Sequence, residues 1–143
     1  MKKPSPDTFL KLKKIVLDAG FPQNKQKIHD ILEAAFKQID ENLKSPYFLH
    51  KGTRPTRDAF GTDLPKGQRD ESTLRNYLIA ELFRSWVLAH EEVPKINNKG
   101  YSATPFVIFA EQIFYLLGIG KIEDHLEEFQ SFRSKSIKNS EID

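Results

Sequence analysis

The chain has 143 residues, 38% of them apolar and 29% charged, with no cysteine. That composition leaves room for one aromatic-rich core and excludes disulfides, thiolate metal sites and cysteine nucleophiles. The net charge of +2 hides an asymmetry, +6 over residues 1–69 and −4 over residues 70–143.

Met1-Lys2-Lys3 has the charge of a signal-peptide start, but Asp7, Lys11, Lys13 and Lys14 interrupt any apolar run after it. No stretch approaches the ~20 apolar residues of a membrane span. The sequence therefore predicts a soluble, cytoplasmic chain with no membrane partner.

Ser5-Pro6-Asp7-Thr8 predicts a helix start, with Ser5 as the cap and Pro6 in the first turn. Phe9, Leu12, Val16 and Ala19 recur at helical spacing, and Gly20 followed by Pro22 predicts the stop. A second helix is predicted from about Asn24 to Lys44, with Ile28, Ile31, Leu32, Ala35, Phe36, Ile39 and Leu43 on one stripe. Residues 45–69 hold three prolines and three glycines without a sustained period, and are predicted as a long loop.

A third helix is predicted over residues 70–90. Leu74, Tyr77, Leu78, Leu82, Trp86 and Ala89 form one face, and Ile79, Phe83 and Val87 an adjacent one. So wide an apolar arc predicts contact with two neighbours and places Trp86 in the core. A polar connection over 91–103 leads to Thr104-Pro105, which predicts the cap and first turn of a fourth helix. Its body, 106–117, is apolar almost all round apart from Glu111 and Gln112, which predicts a central position. Gly118 and Gly120 make a turn into a fifth helix, predicted over 121–133, and the polar residues 135–143 are predicted to fray. The expected fold is all-α: a single-domain bundle of about five helices with a long loop between the second and third.

Signatures for chemistry are sparse. The four histidines, His29, His50, His90 and His125, show no metal-ligand spacing, and there is no G-x-S-x-G, P-loop or G-x-G-x-x-G. The sequence predicts no metal, no cofactor and no catalytic set. The most informative segment is 44–69, where Lys44, Lys51, Arg54, Arg57, Lys66 and Arg69 face only Asp58 and Asp63, for a net charge of +4. Tyr47, Phe48 and Phe60 are interleaved with them. Cations bind phosphate, and aromatic rings stack on bases. The expected anion-binding residues are Lys51, Arg54, Arg57, Lys66, Arg69, Arg75 and Lys99, the last from the second loop. Arg69 and Arg75 have a second reading, as partners of Asp70 and Glu71.

These residues point to a non-catalytic binding module that engages an anionic partner such as nucleic acid. Two alternatives stand beside it. One is a small enzyme with a site assembled from the 45–69 and 91–104 loops. The other is an adaptor that pairs with a protein partner, or with a second copy as a homodimer, through apolar helix faces.

Overall fold

A computed structural model of the chain describes residues 1–45, 71–96 and 104–142, with side chains as far as Ile137. Among the described residues the chain is all-α. Five helices follow one another: α1 (Pro6–Asp18), α2 (Lys25–Lys44), α3 (Glu71–His90), α4 (Pro105–Leu116) and α5 (Leu126–Ile142), the last preceded by a 3-10 turn at Ile122–His125. α1 packs on α2 and α4, α2 on α3, and α3 on α5, while the 3-10 turn bridges α4 and α5. The predicted loop 45–69 lies outside the described residues except for Ser45, and so do residues 97–103 of the second connection.

Local chemistry sets the helix ends. Ser5 Oγ accepts from the Thr8 amide at 3.3 Å, while Thr8 Oγ1 accepts from the Ser5 amide at 3.0 Å, so each satisfies the other's exposed N–H. Gly20 closes α1 with φ +67. Thr104 Oγ1 accepts from the Val107 amide at 3.3 Å and donates to the Lys95 carbonyl at 2.8 Å. It thereby caps α4 and pins the preceding segment. Asn24 has left-handed backbone and makes no side-chain cap for α2. Its Nδ2 donates instead to the Leu88 carbonyl at 2.8 Å, joined by Gln23 Nε2 at 3.2 Å, so the α1–α2 corner satisfies the C-terminal end of α3.

The core is one continuous cluster drawn from every helix. Its largest fully enclosed side chains are Phe36, Phe106, Phe114 and Phe129. Their rings meet mostly edge to face or tilted, with Phe106 6.1 Å and Phe114 5.6 Å from Phe129. The wide arc of α3 does meet more than one neighbour. Leu74, Leu78, Leu82 and Ala89 are buried, and Phe83 reaches Phe106 at 5.0 Å and Phe132 at 4.9 Å.

Five expectations about burial need correction. Ala19 is exposed beyond the last core residue of α1, and Tyr77 and Val87 fall at the edges of the α3 arc, half-buried and exposed. Trp86 is half-buried, not enclosed. It touches Phe21 at 6.0 Å, Phe106 at 5.4 Å and His90 at 4.3 Å. An indole in the last turn of a helix is too large for these neighbours to cover completely. Finally, α4 is not buried all round: Ile108 and Tyr115 are 50% and 82% exposed on one face. The predicted fifth helix differs at both ends. It opens with the 3-10 turn, and helical backbone runs past Arg133 to Ile142, with Ser136 Oγ donating to the Phe132 carbonyl at 3.0 Å.

Arg75 and Glu128 clamp α3 to α5 through two parallel hydrogen bonds, Nε to Oε2 and Nη2 to Oε1, each 2.8 Å. The Arg75 hydrogen bond holds the Glu128 carboxyl below the usual glutamate value, against a smaller opposing effect of burial. A carboxyl whose pKa is lowered by folding contributes stability that is complete above its unfolded value. That contribution is lost as pH falls through the folded value. Arg75→Gln is therefore expected to lower the thermal midpoint at pH 7, with the deficit shrinking at pH 3. An equal deficit at both pH values contradicts the clamp.

The packing also ranks two aromatic truncations. Phe114→Ala is expected to cost about 3–5 kcal/mol in urea denaturation, and Trp86→Ala less, because part of the indole already meets solvent. A larger loss at Trp86 contradicts the arrangement.

Candidate anion-binding cleft

The end of α4 builds the most distinctive surface feature. Leu117 leaves the helix, and Gly118 takes φ +63. The Gly118 amide donates to the Tyr115 carbonyl at 3.2 Å and the Ile119 amide to the Phe114 carbonyl at 3.1 Å. This is the paired bonding of a Schellman turn, which needs a left-handed residue where Gly118 stands. The turn leaves the Leu117 carbonyl open to another partner, and the Lys2 amide donates to it at 2.7 Å.

That bond lays the segment before α1 along the end of α4. A Cβ on Gly118 would sit 3.0 Å from Lys2 Cγ and 3.2 Å from its Cδ, so the missing side chain is what admits the lysine stem. Between these walls opens a cleft of about 630 Å³. Lys2 and Lys3 line one side, with Ser5, Thr8 and Lys11 of α1. Glu111, Tyr115 and Leu116 of α4 line the other, and Gly118, Gly120 and Lys121 form the floor and rim.

Four lysines thus surround the cleft against a single lining carboxylate, Glu111. Lys11 is held by Asp7 at 3.0 Å, and that hydrogen bond keeps its ammonium above the ordinary lysine value. Lys2, Lys3 and Lys121 have no ion-pair partner among the described residues. Like charges confined to one concave surface raise the local potential for anions. Nearby, the Met1 nitrogen donates to Glu71 Oε1 at 2.8 Å, which ties the start of α3 to the segment before α1.

Of the residues expected to bind anions, Lys51, Arg54, Arg57, Lys66, Arg69 and Lys99 lie outside the described residues. Arg75 is described, and its guanidinium grips Glu128. The cleft lysines were missed because their sequence separations carry no local signal; Lys2 and Lys121 meet only through the Lys2–Leu117 bond.

Other surfaces offer less. His90 meets Trp86 at a tilt and Phe21 edge-on, and has no carboxylate in ion-pair range among the described residues. His125 lies 3.9 Å from Glu128, which Arg75 already engages. Among the described residues no group of three His, Asp or Glu side chains is placed to hold a metal ion. Among them, too, no helix is long and apolar enough to cross a membrane. No protein-family model, curated protein or solved structure matches the chain.

Gly118→Ala tests how the cleft is built. Left-handed backbone costs a residue with a Cβ roughly 1–2 kcal/mol, and the new methyl group displaces the Lys2 stem. Urea denaturation is expected to show a loss of that size, smaller for Gly118→Asn. No loss for alanine contradicts the turn geometry.

Proposed function

We propose that this chain is a non-catalytic binding module for an anionic partner. The observation that carries the reading is the cleft between α1 and the α4 turn, with four lysines around one carboxylate. The sequence adds a second source of charge, the +4 segment 44–69, with Lys51, Arg54, Arg57, Lys66 and Arg69 as its anion-binding residues. Glu71, just beyond that segment, is bonded to Met1 at the same corner. A cleft with four lysines suits an anion of repeated charge better than a single small one, because each neutralised charge on a polymer releases a condensed counterion.

The test is a titration of fluorescein-labelled DNA followed by anisotropy at several salt concentrations. Three or four phosphate contacts give a slope near −3 for log K against log salt on a duplex, at about −0.9 per contact. Combined replacement of Arg54, Arg57 and Lys66 by Glu is expected to abolish binding. Combined replacement of Lys2, Lys3 and Lys121 by Glu is expected to weaken it, while Lys25, Lys27 and Lys37, exposed on α2, serve as the control for general charge. Equal weakening by the control, or no binding at low salt, overturns the reading.

A further inference from the structure

The exposed face of α4 carries an observation that charge alone does not use. Tyr115 is 82% exposed, the most exposed large apolar side chain among the described residues, and it lines the lysine cleft. Ile108 lies two turns earlier on the same face and is 50% exposed. Seven residues at 1.5 Å each place the two about 10 Å apart along the helix. Phe106, Phe109 and Phe114 of the same helix are buried. The aromatic at the cleft mouth is thus the one ring of α4 turned to solvent.

We infer that Tyr115 is a stacking platform for an unpaired base of a single-stranded nucleic acid whose phosphates lie on Lys2, Lys3 and Lys121. The inference rests on the anion-binding reading and names the ligand class. Charge complementarity selects a polyanion, and the ring selects one that also presents flat π-faces. Inorganic polyphosphate and sulfated sugars have no such faces. In a duplex the base faces are covered by their neighbours, whereas in a single strand they are open to aromatic side chains. Lys11 lines the same cleft as Tyr115, and Asp7 fixes its ammonium at 3.0 Å. The hydroxyl of Tyr115 keeps an exposed ring compatible with water, and stacking needs only its face. Glu111 lies one turn before Tyr115 on the same side of the cleft, away from Lys2, Lys3 and Lys121. That leaves the Lys2, Lys3 and Lys121 side for the backbone and the Tyr115 side for the base.

The experiment compares three probes on the whole chain: a fifteen-nucleotide oligo-dT, a duplex of the same length, and inorganic polyphosphate. Oligo-dT is expected to bind more tightly than the duplex. Tyr115→Ala, at a position too exposed to disturb the core, is expected to weaken oligo-dT by about tenfold, within the range of one base–ring stack. It leaves polyphosphate binding unchanged. Tyr115→Phe keeps the ring and is expected to restore oligo-dT binding. If Tyr115→Ala leaves oligo-dT unaffected, or weakens oligo-dT and polyphosphate equally, the stacking inference is overturned while anion binding stands. If none of the three probes binds at low salt, the anion-binding reading falls and the inference with it.

Discussion

Phe106, Phe109, Ile113 and Phe114 of α4 are buried against α1, α3 and α5, and most of the remaining architecture follows from that burial. Each phenyl ring removed from water contributes on the order of 2–3 kcal/mol, so the position of α4 is fixed strongly. An anchored helix needs a defined exit. The Schellman turn at Gly118 provides one, and its outward Leu117 carbonyl receives the Lys2 amide at 2.7 Å. The cleft is a by-product of how a central helix ends.

The same constraint explains the uneven surface. Because α4 buries one side so completely, the residues on its other side face solvent. Ile108, Gln112 and Tyr115 form that exposed strip. Elsewhere, polar contacts fix the other helices: Arg75 with Glu128, and Arg133 Nε donating to the Pro94 carbonyl at 2.9 Å. The first of these pairs an acidic with a basic group. At the cleft, three of the four lysines are left to solvent and to whatever anion approaches.

Much of the fold was legible in the sequence, because periodicity and capping are local. Ser5, Gly20, Thr104 and Gly118 mark their helix ends, and the stripes of α1, α2 and α3 point inward with errors confined to their margins. Ala19, Trp86 and Val87 failed because burial at the end or edge of a stripe depends on what covers it, which only the tertiary arrangement decides. The near-uniform apolarity of α4 concealed its exposed face, since a helix with few polar residues gives no phase. The candidate site was legible only in part. The charge of 44–69 is contiguous and visible, whereas Lys2, Lys11 and Lys121 are scattered and carry no motif. Arg75 also grips Glu128, fifty-three residues away, a contact that no local spacing signals.

The account stands or falls on where an anion sits. Amide chemical-shift mapping of the isotopically labelled chain, titrated with short oligo-dT at low salt, locates it directly. Among the described residues the largest shifts are expected at Lys2, Lys3, Gly118, Gly120 and Lys121, with the Tyr115 ring protons moving upfield under a stacked base. Shifts centred instead on the α1–α2 groove of Lys13, Lys25 and His29, or spread evenly over every exposed lysine, contradict it.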